Sequence, residues 1–450
     1  MIQQMVFILV SIAALGFAGK QFLRIRRNVL LGKDPAPEPA QSGQRWRNVL
    51  LVAFGQQKMF KNWIPALFHL FIYVAFLLTQ VELIEIFIDG ATGTHRFFAP
   101  ALGGFYTFVI SFIEILSVLA FVATIIFLAR RNLLRLPRFH KAEMKGWPTR
   151  DANLILLAEI VLLTGIFSMN GADVLLQKIN PGHYADTGTL AVSSWLGPAI
   201  FGNLSETSLH VVERFGWWLH ILTVFAFLNY LPFSKHLHII LAFFNTYHAR
   251  LTPRGEMDNM PEIMNEVKSM MGLGEASNAE VIPEFGAKDV MDLSWKNVLG
   301  AYTCTECGRC TAACPANITG KKLSPRKIMM DVRDRAEEIG NKIESGSADY
   351  LKAEFKNQEG ILLTADNFDD GKNLFDYITR EEIHACTTCN ACVEACPVLI
   401  NPLDIILQLR RYEILTESSG PGDWLPLFNS IENGGSAWAM SIDRDSWVRD

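Results

Sequence analysis

Cysteine is missing from this 450-residue chain except in two short runs of its last third, which hold all eight thiols. That distribution leaves nothing for a disulfide framework spread along the chain. Charged side chains are scarce at 19%, and no basic stripe with interleaved aromatics occurs, which argues against nucleic acid as a partner. The C-terminal half shows neither a proton-abstracting carboxylate pair nor a nucleophile with an adjacent base, so it offers no acid–base or acyl-transfer centre. Internal repeats are absent apart from the one the cysteines make.

What the chain has in excess is apolar sequence. Half of its residues are hydrophobic and thirty are phenylalanine, concentrated before Tyr247. Five stretches are long enough to cross a bilayer core of about 30 Å, which takes roughly 20 helical residues. They run approximately from Met5 to Leu23, Trp63 to Ile88, Phe105 to Leu128, Leu154 to Leu176 and Leu209 to Leu231. In the first, the cations Lys20, Arg24, Arg26 and Arg27 follow the apolar run instead of preceding it, so it reads as a retained helix and not as a cleaved signal.

Lys and Arg cluster after the first and third stretches (Arg24 to Lys61, Arg130 to Lys145), whereas the other loops offer little beyond Arg96 and Lys178. The positive-inside rule then places the N-terminus outside and everything after the fifth span in the cytoplasm. The chain divides into a transmembrane helical bundle at 1–247, an acidic Gly-, Pro- and Met-bearing linker at 248–294, a cluster domain at 295–415 and a tail at 416–450. One short helix is expected in the linker, at "PEIMNEVKSMM".

Both cysteine runs have the form C-x2-C-x2-C-x3-C-P. The first is Cys304, Cys307, Cys310, Cys314 and Pro315; the second is Cys386, Cys389, Cys392, Cys396 and Pro397. Three thiolates spaced in this way wrap one face of a four-iron cubane, while the fourth reaches the other cluster. The pattern predicts crossed ligation: Cys304, Cys307 and Cys310 with Cys396, and Cys386, Cys389 and Cys392 with Cys314. A structural zinc site uses two pairs of ligands and does not call for a regular triplet followed by Cys-Pro. Disulfides do not suit a domain sent to the cytoplasm. About seventy residues separate the runs and read as helix, with Ser324 as N-cap and Pro325 at the first helical position. The expected fold is therefore all-α, a five-helix transmembrane bundle followed by an α-helical ferredoxin domain with two 4Fe-4S clusters.

"AYTCTECGRCTAACPANITGKKLSPRKIMMDVRD" and "HACTTCNACVEACPVLINPLDIILQLRR" resemble the α-helical ferredoxin domain of the heterodisulfide-reductase-like iron-sulfur oxidoreductases, over roughly residues 290 to 415. The whole chain is similar to the membrane-bound (Fe-S)-binding proteins that precede such a domain with a bundle like the γ subunit of respiratory nitrate reductase. In that family a segment like "SIENGGSAWAM", Ser430 to Met440, leads into cysteine-rich CCG domains that carry the substrate-side chemistry. With every thiol assigned, the resemblance implies a separate CCG-domain or flavoprotein partner subunit and a menaquinone-type carrier in the lipid.

A lipid-buried redox subunit needs ligands for haem, and imidazole is the usual one. His69 lies near the start of the second stretch, His220 in the fifth, and His236 and His238 beyond it. The eighteen-residue interval from His220 to His238 amounts to five turns and would place both on one face of a continuous helix, with Pro232 between them able to interrupt it. Nitrate reductase γ subunits carry a pair with that interval, and two histidines ten apart on the second helix; here the second of those positions is Thr79. The resemblance thus implies one haem b, held by His69 and His238, with His220 and His236 as alternatives. Glu82, Glu85, Glu114 and Glu159 are candidate proton carriers for a quinone, as is His220. Lys321, Lys322, Arg326 and Lys327 read as a solvated helix start or a docking patch for an acidic partner. The function expected is a membrane-anchored electron-transfer subunit of an oxidoreductase. Its alternatives are a haem-free iron-sulfur anchor like that of anaerobic glycerol-3-phosphate dehydrogenase, and a redox sensor.

Overall fold

The computed structural model describes residues 1–35, 41–273, 285–356, 358, 360–437, 445 and 448. Among them the chain is helical and turn-linked, with only the isolated bridges Lys33 to Ser294 and Leu351 to Phe368 of β type. Five segments are long and apolar enough to span a membrane: Ile2–Val29, Ser42–Thr92, Gly104–Asn132, Trp147–Ile179 and Glu206–Phe233. We label the main helices α1 (Ile2–Val29), α2 (Trp63–Thr92), α3 (Gly104–Asn132), α4 (Trp147–Ile179), α5 (Ser193–Phe201), α6 (Glu206–Tyr230) and α7 (His238–Tyr247). After them come α8 (Pro261–Met270), α9 (Trp295–Thr303), α10 (Arg309–Ala313), α11 (Pro325–Ser345), α12 (Ala391–Ala395), α13 (Pro402–Arg411) and α14 (Trp424–Gly434).

The bundle is apolar outside as well as inside. Leu9, Phe105, Phe108, Phe112 and Ile115 stand exposed on its flanks, a surface that suits hydrocarbon and not water. Lipid supplies no hydrophobic drive between helices, so close contact depends on small residues. At the α4–α6 crossing a Cβ on Gly216 would lie 2.6 Å from the Met169 amide, and one on Gly165 would lie 3.0 Å from that of His220. Gly171 and Gly197 meet in the same way where α5 packs on α4.

The helix that was to carry both His220 and His238 does not continue. It ends at Tyr230, passes through 3-10 turns at Leu231–Phe233 and Lys235–Leu237, and restarts as α7. Pro232 has no N–H to offer the preceding turn, and its ring blocks the carbonyl one turn back. The eighteen-residue interval therefore does not place the two imidazoles on a shared face.

The cluster domain is not hung from the bundle by a free linker. Ile25, Val29 and Leu31 at the end of α1 belong to the same buried core as Val290, Leu293, Val298, Ile328, Val332 and Ile405. Each such side chain contributes about 1.5–3 kcal/mol on burial. Polar contacts fix the register of this junction. Asn28 Nδ2 donates to the Tyr302 hydroxyl at 3.0 Å, Arg27 Nη2 donates to the Gly340 carbonyl at 2.9 Å, and Lys33 exchanges backbone bonds with Leu293 and Trp295. The expected short helix in the preceding segment is α8.

α11 begins where expected, with Ser324 Oγ accepting from the Lys327 amide and Pro325 in the first turn. The basic group beside it is solvated only in part. Arg326 is fully buried and paired with Glu143 at 2.7 Å and Lys327 is half-buried, whereas Lys321 and Lys322 are exposed, Lys322 facing Glu381. Nine residues further along α11, Arg335 is likewise buried between Asp289 and Asp370.

Candidate functional site: two thiol sets against a histidine-bearing bundle

The two cysteine runs fold alike. In each, the second residue after the first cysteine has a left-handed backbone (Glu306, φ 52°; Thr388, φ 56°), and so does the residue after the second cysteine (Gly308, φ 70°; Asn390, φ 61°). Gly and Asn adopt this region readily; Glu and Thr do so against a local cost. The turns aim amides at sulfur, as where the Thr388 N–H donates to Cys386 Sγ at 3.4 Å and the Ile400 N–H to Cys396 Sγ at 3.3 Å. The third cysteine of each run sits in the short helices α10 and α12, which pack on each other and so bring the runs together.

The thiols sort into two groups. Cys307 and Cys396 act electrostatically on Cys304, and Cys304, Cys307 and Cys396 act on Cys310, with Cys392 of the other run the weakest of its neighbours. Cys314 and Cys389 act on Cys386, and Cys386, Cys314 and Cys389 act on Cys392. All eight cysteines are free of disulfides, and Cys304, Cys314, Cys392 and Cys396 are buried. Burial pushes the thiols of Cys304 and Cys392 up to about 12 and that of Cys396 up to about 11, so thiolates there need the compensating charge of a metal. The donor set fits two iron-sulfur cubanes. Among the described residues no three His, Cys, Asp or Glu groups converge on a single ion; cubane thiolates each take a different iron and need not converge.

The sets differ in position. Cys389 is exposed, whereas Cys307 and Cys396 lie against the loops at one end of the bundle, near Arg138 and Lys58. Glu306, between Cys304 and Cys307, ties this loop to the bundle through an ion pair with Lys235, whose ammonium also donates to the Pro148 carbonyl at 2.6 Å. Arg333 holds the other carboxylate oxygen at 2.8 Å.

The Lys235 carbonyl in turn faces His238 Nδ1 at 3.1 Å. His69 Nδ1 is held by Gln56 Oε1 at 3.0 Å, and His236 lies beside both histidines, its ring centroid 5.4 Å from that of His238. An imidazole whose Nδ1 is anchored by an oxygen presents Nε2 to a metal. The hydroxyl of Tyr73, one turn from His69, is buried without a hydrogen-bond partner, as are Arg131 Nη1 and Asn229 Oδ1. This donor set fits a bis-imidazole haem close to the Cys304 set. His220 is placed elsewhere, on the α4 face of α6, with Nδ1 3.2 Å from the Leu162 carbonyl.

At the opposite end of the bundle lies an ionic group that the sequence reading missed. Arg96 is buried among Asp173 (3.1 Å), Glu82 (3.5 Å), Glu85 (3.8 Å) and Asn170 (2.5 Å), and Tyr106 donates to Glu85 at 2.6 Å. His95 Nδ1 accepts from the Ala185 amide, leaving Nε2 to face Asp173 at 2.9 Å. A cavity of about 240 Å³ adjoins this group, bounded by Glu85, His95, Arg96, His210, Trp217 and Trp218. Glu82 and Glu85 were legible only as acidic residues near a helix end; Arg96, Asp173 and His210 carried no local signal. Glu114 is not free to carry protons as expected: its oxygens cap the start of α5, accepting from the Val192 amide at 2.8 Å and from the amide and hydroxyl of Ser193. Glu159 lies half-buried in α4.

Comparisons with known proteins bear on the cysteine-bearing segment and on the chain as a whole. The 4Fe-4S dicluster domain family matches residues 303–400. This segment is an iron-sulfur domain. The chain is 30% identical over 422 residues to the Bacillus subtilis protein named "Probable iron-sulfur-binding oxidoreductase FadF", covering 89% of this chain and 54% of that one. It is 26% identical over 434 residues to the EtfAB:quinone oxidoreductase of Syntrophomonas wolfei, covering 93% and 56% respectively. Over 177 residues it is 32% identical to a Chromohalobacter salexigens protein named "Probable membrane-anchored ferredoxin", covering 35% and 24%. The chain thus spans about half the length of the first two relatives. No solved structure matches it. The dicluster domain and five membrane-capable helices together make this a relative of membrane-bound iron-sulfur oxidoreductases.

Proposed function

We propose that the chain is the membrane-anchored electron-transfer subunit of an oxidoreductase, relaying electrons between a partner subunit and a menaquinone-type quinone. The observation that carries this reading is the position of the two cysteine runs, one with an exposed edge at Cys389 and the other against the bundle loops, where Arg309, the residue before Cys310, acts on His69. Two 4Fe-4S clusters, ligated by Cys304, Cys307, Cys310 and Cys396 and by Cys386, Cys389, Cys392 and Cys314, would supply one-electron carriers, with one haem b between His69 and His238 as a third. The chain's own work is positioning. Glu306 and Lys235 lock the first loop onto the bundle, Gln56 and the Lys235 carbonyl orient the imidazoles, and burial of Cys304 and Cys396 limits the access of water to that set.

The charge pattern of the loops supports a cytoplasmic location for the cluster domain and an outer location for the Arg96 group. A partner bearing CCG domains or a flavin would approach the Cys389 edge, where α14 rests Trp424 on His384 with ring centroids 5.1 Å apart. The tail from Ser430 is described only to Ala437, and Trp438 to Met440 lie outside the described residues. The cavity between His95, His210 and the tryptophans has aromatic walls and proton-bearing groups suited to a quinone head, and one relative is named for quinone.

The test is a dithionite-reduced minus air-oxidised spectrum of the detergent-purified chain, with pyridine haemochrome, iron and sulfide quantitation. A b-type α band at one haem per chain, with iron and sulfide for two clusters, is the expected result. Full iron and sulfide without haem would instead favour the haem-free anchor, and their absence would sink the relay.

A further inference from the structure

The two thiol sets are alike in sequence and unlike in electrostatic surroundings. Beside the Cys304 set, Gly308 lies against Arg326 and Arg138: a Cβ there would meet Arg326 Nη1 at 2.4 Å and the Arg138 carbonyl at 3.5 Å. Arg138 acts directly on Cys307, and its Nε is buried with no hydrogen-bond partner. Arg309, the residue before Cys310, donates to the Lys58 carbonyl at 3.4 Å and acts electrostatically on His69. Lys58 acts on Cys396 and approaches the Val393 carbonyl at 3.5 Å. The nearest carboxylates are already matched, Glu306 by Lys235 and Arg333, Glu143 by Arg326, and Glu394, 4.0 Å from Lys58, by Lys61 and Arg254 as well.

The Cys386 set has less. Arg410 is its neighbouring guanidinium, and it donates to the carbonyls of Ile383 at 2.9 Å and Cys386 at 2.5 Å. Cys389 is open to solvent, where water screens whatever charge is near.

We propose that Lys58, Arg138 and Arg309 set the reduction potential of the iron-sulfur site built by Cys304, Cys307, Cys310 and Cys396, and make it the more readily reduced of the two. The inference rests on the reading that both sets hold 4Fe-4S clusters. Reduction adds one negative charge and no proton, and a cation held in a dry surrounding stabilises that charge more than the same cation does in water. An electron received at the exposed site from a reduced flavoprotein, or from dithionite in the test tube, then resides preferentially at the buried site: one cluster returns to its oxidised state as the other is reduced. The collar thereby ranks the sites from the surface toward His69.

The test is an EPR-monitored potentiometric titration of the full chain in detergent, with iron and sulfide measured on every sample. Two one-electron steps are expected. Arg138→Gln and Arg309→Gln should each weaken the higher step by about tenfold in its equilibrium constant, which is about 59 mV for a one-electron couple. Arg138→Lys should retain the wild-type value, a rescue that a purely structural role would not produce. Arg410→Gln should move only the lower step. Overturning results are an unmoved higher step in the two glutamine variants with full iron and sulfide, or movement of that step by Arg410→Gln. A wild-type chain without iron and sulfide would overturn the cluster reading itself, which the metal analysis tells apart from failure of the collar.

Discussion

Replacing Gly308 by alanine isolates the demand that the first cysteine loop makes on its backbone. Gly308 has φ 70°, a conformation that costs an L-residue about 1–2 kcal/mol. The added methyl would also stand 2.4 Å from Arg326 Nη1, which cannot retreat without loosening its bonds to Glu143 and the Arg138 carbonyl, both 2.7 Å. A charge-assisted bond of this kind is worth about 1.5–3 kcal/mol, so the expected total is about 3–5 kcal/mol. Asn390 occupies the matching place in the second loop at φ 61°. Asn390→Ala should therefore show only the backbone part, about 1 kcal/mol. The assay is the guanidinium midpoint for loss of the visible iron-sulfur absorbance, read for both single variants and for Gly308→Ala combined with Arg326→Gln. Removing the guanidinium relieves the collision, so the double variant should be less destabilised than the two singles summed, by about 1 kcal/mol or more. Equal midpoints for Gly308→Ala and Asn390→Ala, or strict additivity in the cycle, would refute the reasoning.

Other expectations follow from the same contacts. Burial opposes ionisation of Asp370, but Arg335 and Lys342 outweigh it and hold its pKa below the usual carboxylate range; Lys342, Tyr377 and Lys372 likewise hold Glu338 at about 2 against burial. Both folded values lie below the unfolded ones, so their stabilisation is present at neutral pH and is lost as pH falls from about 4 toward the folded values. Asp370→Asn should abolish much of that acid dependence in a pH series of denaturation midpoints and cost about 3 kcal/mol at pH 7, because it strips a partner from buried Arg335. His69→Ala and His238→Ala should each remove the b-type α band, while His220→Ala should retain it, as read by pyridine haemochrome. Gly340→Val should loosen the junction of α1 with the cluster domain, since a Cβ there meets Asn28 Oδ1 at 2.1 Å; a fall of about 1–3 kcal/mol in the denaturation midpoint is expected. Glu114→Gln should lower the denaturation midpoint by about 1 kcal/mol through the weakened cap on α5, in line with a structural role.

Much of the architecture was readable because the signals are local. An apolar run has a length, and a thiol triplet has a spacing, whatever the rest of the chain does. Ser324 and Pro325 announced the start of α11 by the same logic, since a cap acts within one turn. The interval argument for His220 and His238 failed for an equally local reason, because periodicity carries a face only along an unbroken hydrogen-bond ladder and Pro232 breaks this one. Arg326 was misread because charge by itself suggests solvent. Its partner Glu143 lies far off in sequence and reaches it only when the bundle and the cluster domain dock. The Arg96 group escaped notice in the same way, being assembled from α2, α4 and the loop between α2 and α3.

By itself the sequence determined that this chain has five membrane-length helices and two four-cysteine runs of dicluster ferredoxin type, because hydrophobic length and covalent spacing are properties of contiguous residues. Only the tertiary structure decided that the Cys304 set lies against the bundle within a collar of cations while Cys389 is left exposed, that His236 joins His69 and His238 while His220 does not, and that Arg96 gathers the distal carboxylates. Charge and imidazole interactions depend on distance and on the exclusion of water, and both are set by packing between segments far apart in the chain.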